Sequence, residues 1–135
     1  SKARDLAGMA NMLLREYGGK VPQAMEDLLR LPGVGRKSAN LIRGDIFHLP
    51  AVVADTHCIR MANRIGFVTD TTDPVQVERA LVLPPEESND FCHRCVMHGR
   101  VVCTARKALC EVCCLQDVCR TGKKTIKQET LEELV

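Results

Sequence analysis

Seven of the eight cysteines lie between residues 92 and 119, and only Cys58 stands apart. A secreted disulfide scaffold spreads its cysteines along the chain, whereas dense clustering points to metal. One set reads Cys103-x6-Cys110-x2-Cys113-x5-Cys119, four thiols within seventeen residues. Such a set can close around one metal centre, and its uneven steps suit an iron–sulfur cubane better than paired zinc knuckles. A rival set pairs Cys92-x2-Cys95 with Cys110-x2-Cys113, close to a zinc ribbon. Against the ribbon, Cys92 and Cys95 fall on an apolar helical face, where buried free cysteine is common. The ribbon would also strand Cys103 and Cys119, and Cys114 is surplus under either scheme. Between the first two thiols of the cubane set, Arg106 and Lys107 occupy a loop that a metal would hold outward, towards phosphate. The plainer reading is a solvated charge pair.

The rest of the chain reads as all-α. Leu6, Met9, Ala10, Leu13, Leu14 and Tyr17 recur with helical period, and Gly18-Gly19 ends that helix. A second helix is expected over 22–30, with Pro22 in its first turn. A third is expected over 36–47, with Ala39, Ile42 and Ile46 on one face. Asp55-Thr56-His57 opens another, with Ile59, Ala62 and Ile65 inward. Asp73-Pro74 opens the next, with Gln76 placed to complete a capping box. After Pro84-Pro85, a helix from Ser88 or Asn89 carries Cys92, Cys95, Val96 and Gly99. No strand alternation or internal repeat is visible. With no Trp, one Tyr and three Phe, the core must rest on aliphatic side chains. No run of about 18 apolar residues exists, which excludes a membrane-spanning helix, and no signal peptide is visible. The net charge of +2 does not announce nucleic acid, so only local clustering of basic residues could.

Such clustering occurs at Leu31-Pro32-Gly33-Val34-Gly35-Arg36-Lys37. Two expected helices flank this turn in a helix–hairpin–helix pattern. Gly33 and Gly35 permit positive φ and close backbone approach. The turn directs N–H groups outward at the start of the third helix, where an anion such as a DNA phosphate fits. Arg36, Lys37 and Arg43 lie beside it; the bland alternative is a glycine-capped corner. Lys37, in a first helical turn beside Arg36, sits where the ammonium form is disfavoured, as a nucleophilic amine requires. By position alone it could equally be an exposed phosphate contact. Asp55 could be a helix cap, or a carboxylate that stabilises positive charge at a sugar C1′ and assists proton transfer. Pro50 between the two allows them to face each other across a cleft.

Together, L-P-G-V-G-R-K-S-A-N (31–40), V-A-D-T-H (53–57), H-G-R (98–100) and the 6-2-5 cysteine loop resemble the endonuclease III family of helix–hairpin–helix DNA glycosylases. The resemblance covers roughly residues 1–120. It implies a helical-barrel part, 1–49, with the hairpin; an iron–sulfur lobe, 50–121, carrying the aspartate; and a tail, 122–135. It implies that Lys37 attacks C1′ of a damaged nucleotide to form a Schiff base, assisted by Asp55. Gly33, Val34, Gly35, Arg36, Arg106 and Lys107 would contact DNA. Cys103, Cys110, Cys113 and Cys119 would hold a [4Fe-4S] cluster. The implied partner is double-stranded DNA with oxidised pyrimidines or abasic sites, cut by β-elimination. The implied setting is a monomeric cytoplasmic, nucleoid-associated enzyme.

Adenine-mismatch glycosylases share much of this pattern but lack a lysine at the position of Lys37. A DNA-binding unit without chemistry is the other alternative. Members of the family carry more helices before the position of Ser1, so the chain is expected to be an N-terminally truncated piece. Cys114 is a departure that directly follows a ligand position and is the alternative ligand there, while His48 and Cys95 are departures with no evident chemistry attached.

Overall fold

The computed structural model describes residues 1–125. Among them there is no strand, only an isolated bridge between Cys103 and Ala108, and the all-α expectation holds. The chain divides into two compact units, Ser1–Val53 and Ala54–Val135. Of the tail expected at 122–135, residues up to 125 continue a helical segment that begins at 120; the remainder lies outside the described residues.

The first unit holds α1 (Lys2–Glu16), α2 (Met25–Arg30) and α3 (Arg36–Leu41). Helix α1 ends as expected. Gly18 and Gly19 take φ 59° and 77°, and the Gly19 N–H returns to the Leu13 carbonyl at 2.8 Å. Glycine adopts this region without steric cost.

The buried row of α1 differs from the expectation. Met9, Met12, Leu13 and Tyr17 pack on the core of Leu28, Leu31 and Ala39, while Leu6 and Leu14 are 60% and 69% exposed. Close approach decides the row. A Cβ on Gly8 would lie 3.2 Å from the Pro32 ring, so α1 turns its Asp5–Gly8–Met12 side to the following turn.

Helix α2 begins at Met25, not at Pro22. Ala24 before it is extended, at φ −69° and ψ 138°, and the Gln23 carbonyl accepts from Arg43 at 3.3 Å. Beyond Leu41, α3 widens into a π-turn, Ile42–Ile46, with the Phe47 N–H on the Ile42 carbonyl at 3.3 Å. A π-turn sets later residues back by about one position, roughly 100° of helix. Ile46, expected inward, is consequently 66% exposed. Buried Asn40 ties this helix to the following extended segment, through Nδ2 to the Val52 carbonyl at 3.0 Å.

The second unit holds α4 (Thr56–Ile65), α5 (Pro74–Ala80) and α6 (Ser88–Val101), with 3-10 turns at Pro85–Glu87 and Cys110–Val112. Asp73 caps α5 through the Val75 N–H at 2.9 Å, with Pro74 next in the first turn. Gln76 does not complete a capping box; it accepts from the Thr71 hydroxyl at 2.8 Å instead.

Cys58, Met61 and Ala62 form the buried row of α4, while Ile59 and Ile65 are only half-buried. They share a core with Val77, Leu81, Cys92 and Cys95. A hydrogen bond with Cys92 lowers the Cys58 thiol pKa, but one with Cys95, together with burial, outweighs it and pushes it up to about 12. Cys58 therefore packs as a neutral, apolar thiol. Gly99 lets α6 close on α4, since a Cβ there would meet His57 Nδ1 at 2.7 Å and Arg60 Nη2 at 2.8 Å.

Candidate nucleic-acid interface and metal centre

Leu31, Pro32, Gly33 and Val34 form a tight turn closed by the Val34 N–H on the Leu31 carbonyl at 3.1 Å. Proline in second place and Gly33 at φ 77° in third give the type II form. A Cβ on Gly33 would also lie 2.9 Å from Asp5 Cβ. Gly33→Ala should therefore cost about 2 kcal/mol through its left-handed backbone and this collision. Urea unfolding checks it, and an unshifted midpoint would mean the turn relaxes freely.

Gly35 corrects the expectation for the second glycine. Its backbone is extended, at φ −94° and ψ 176°, and a Cβ would meet nothing within 4 Å. It caps α3 without a side-chain hydrogen bond. Gly33, Gly35, Arg36 and Lys37 are exposed. Val34 is not: its side chain packs on the Leu28 core and its N–H closes the turn. The hairpin thus offers bare backbone at a helix start, with Arg36 and Lys37 in the first turn, a geometry suited to an anion. Arg43, expected beside it, is spent on Gln23.

Asp55 is the N-cap of α4, with Oδ1 accepting the Cys58 N–H at 2.8 Å. It stands at the start of the second unit, whereas Lys37 lies in the first.

Cys103, Cys110, Cys113 and Cys119 line one cavity, with Arg64, Val102, Ala108 and Leu109 in its wall. None of the eight cysteines is in a disulfide. Cys114 is exposed and lines a different groove, together with Cys95 and Met97. The ribbon set is divided: Cys92 and Cys95 are buried in the α4–α6 core, away from the cavity of Cys110 and Cys113. Among the described residues, no three His, Cys, Asp or Glu side chains are arranged to hold a metal ion. Four cysteines lining one cavity form a donor set of the kind that thiolate-held metal centres use.

The loop between Cys103 and Cys110 is held by the protein itself. Thr104 Oγ1 donates to the Lys107 carbonyl at 2.7 Å and accepts its N–H at 3.1 Å. Arg106 and Lys107 are exposed at its tip. Sequence reasoning missed Arg64, which donates to Cys103 Sγ at 3.3 Å and to the Thr104 carbonyl at 2.6 Å. Its only signal was a second arginine one helical turn after Arg60, on a helix otherwise read for its apolar row. Arg60 donates to the carbonyls of Cys103 and Gly99 at 3.1 and 2.9 Å. Among the described residues, no helix is long and apolar enough to cross a membrane.

Comparison with known proteins agrees with this geometry. Residues 16–44 match the helix-hairpin-helix motif. Endonuclease III of Synechocystis sp. is 42% identical over 126 residues, covering 91% of this chain and 57% of its own. The structure of a trapped Endonuclease III–DNA covalent intermediate superposes with a TM-score of 0.83 at 38% identity, over 93% of this chain and 60% of that one. A thermostable thymine-DNA glycosylase gives a TM-score of 0.80 at 27% identity, over 90% of this chain and 58% of its own. The chain spans about three fifths of the length of the relatives it matches. With the hairpin matched as a motif and the likeness running through nine tenths of its residues, the chain is similar to endonuclease III along most of its own length.

Proposed function

We propose that the chain carries the catalytic part of a base-excision-repair DNA glycosylase with abasic-site lyase activity, acting on duplex DNA that contains oxidised pyrimidines or abasic sites. The observation that carries this reading is the exposed Lys37 amine in the first turn after the hairpin, in a chain similar to an endonuclease III trapped covalently on DNA. A covalent intermediate needs a nucleophile, and a neutral amine supplies one.

The hairpin holds one phosphate of the damaged strand against Gly33, Gly35 and the start of α3, without reading sequence. Arg106 and Lys107 take a second stretch of backbone. The damaged nucleotide leaves the stack, at lower cost than a sound one. The Lys37 amine then attacks C1′. The C1′–N bond to the base breaks, and the base departs with its electron pair and a proton. The sugar ring opens to a Schiff base on Lys37. Loss of a C2′ proton expels the 3′ phosphate by β-elimination, and water releases the amine. Asp55 stabilises positive charge at C1′ and moves the proton, using the carboxylate oxygen that the cap leaves over.

Cys103, Cys110, Cys113 and Cys119 would hold a [4Fe-4S] cluster. When bound, it supplies a rigid cross-link that orders the basic loop for DNA. This lysine favours the bifunctional reading over an adenine-mismatch enzyme.

One observation favours a second reading, DNA binding without chemistry: the contact seen for Asp55 is that of a helix cap. Borohydride trapping on a duplex with one abasic site separates the two. A covalent protein–DNA band supports the lyase, and its absence from an iron-loaded, DNA-binding protein leaves binding alone. The hairpin is tested separately. Gly35→Ala should leave thermal stability nearly unchanged, because its Cβ enters open space. It should weaken binding to undamaged duplex about tenfold by crowding the phosphate. Equal affinity would remove Gly35 from the interface.

A further inference from the structure

We propose that Arg64 is a positioning residue that holds the Cys103 sulfur and the basic loop as one unit and tunes the redox poise of the centre bound there. The proposal rests on the cluster reading above. Among the described residues, three nitrogen groups lie against the sulfurs of the four-cysteine set. Arg64 Nη1 is 3.3 Å from Cys103 Sγ, His98 Nε2 is 3.3 Å from Cys113 Sγ, and the Leu115 N–H is 3.4 Å from the same Cys113 sulfur. Arg64 alone among the three carries a permanent charge and is always a donor. Its bond therefore strengthens when Cys103 is a thiolate, as a metal ligand must be.

The same guanidinium donates to the Thr104 carbonyl at 2.6 Å and the Ala105 carbonyl at 3.3 Å. Those are the first two residues of the loop that presents Arg106 and Lys107. Arg64 is itself anchored, because its own carbonyl accepts the Thr121 hydroxyl at 2.8 Å. A single residue of α4 thus touches the first ligand and the basic loop that follows it. A cation bonded to a ligand sulfur stabilises the more reduced, more negative state of the centre and so raises its potential. Partners of this kind also retain metal.

The test uses the iron-loaded chain and its variants Arg64→Met, Arg64→Lys and Thr104→Val. Iron content, the rate at which a chelator bleaches the visible absorbance, and the reduction potential are measured for each. Arg64→Met should bleach about 10–100-fold faster than wild type and show a lower potential. Arg64→Lys keeps the charge but cannot span sulfur and carbonyls together, so it should restore most of the potential and only part of the retention. Thr104→Val loosens the loop without touching the sulfur bond and should leave the potential unchanged. A wild-type potential in iron-loaded Arg64→Met overturns the proposal. So does a shift in Thr104→Val as large as that of Arg64→Met. Should Arg64→Met fail to load iron, Arg64→Lys decides alone: unchanged bleaching would overturn the proposal. A wild-type chain that binds no iron overturns the cluster reading itself, and the proposal with it.

Discussion

Replacing Lys37 by glutamine is expected to abolish strand cleavage at an abasic site, by about 1,000-fold or more, together with the borohydride-trapped band. Glutamine stays polar at nearly the same reach, one atom shorter, but has no amine to form a Schiff base. Because Lys37 is exposed and outside the core, the variant should unfold at the wild-type midpoint. Its affinity for abasic duplex should fall only modestly, with the log–log salt slope reduced by at most about one. Cleavage that survives in Lys37→Gln would assign the nucleophile elsewhere. Joint loss of cleavage and binding would reduce Lys37 to a phosphate contact. The comparison thus divides the chemical role of Lys37 from its charge.

The second large effect is expected at the cysteine cavity, and it is selective between neighbours. Cys113→Ser should nearly eliminate bound iron and lower the melting temperature by roughly 10 °C or more, since a metal that binds only the folded site contributes its binding energy to folding. Cys114→Ser, one residue along, should do neither. Cys114 is exposed and lines another groove, whereas Cys113 faces the cavity with Cys103, Cys110 and Cys119. Iron content and a thermal melt of the two variants decide the matter. Loss of iron in Cys114→Ser alone would exchange the two ligands, and equal iron in both would remove this segment from the centre.

Features that depend on a few adjacent residues were legible in the sequence. Asp73-Pro74 caps α5 and Gly18-Gly19 ends α1, because cap chemistry is local and one side chain satisfies one N–H. The Leu31–Val34 turn was legible for the same reason, since Pro32 and Gly33 specify the type II form. Legibility stopped where distant segments compete. Periodicity gave α1 one apolar row from Leu6 to Tyr17, whereas the packed row takes in Met12 and leaves Leu6 and Leu14 exposed, beside the close approach of Gly8 to Pro32. The start of α2 falls three residues after Pro22, behind an extended Ala24. Gly35 was read with Gly33 as a glycine suited to positive φ, which of the two only Gly33 adopts, because composition does not distinguish a glycine required by φ from one left bare for access. At the candidate site, the four cysteines announced themselves by spacing. Arg64 did not, because its role arises from contacts 39 and 40 residues away.

The widened turn at Ile42–Ile46 bears on how this helix tolerates changes of length. Its Phe47-to-Ile42 bond spans one residue more than an α-helical bond. The turn therefore absorbs a one-residue insertion locally instead of passing it down the chain. Deleting one residue from this stretch would restore the regular ladder and leave everything after it facing as it does now. The same deletion one turn earlier would rotate Ala39 and Asn40 out of register with Leu28 and with the Val52 carbonyl. Length variation in this helix is therefore permitted past Leu41 and forbidden before it.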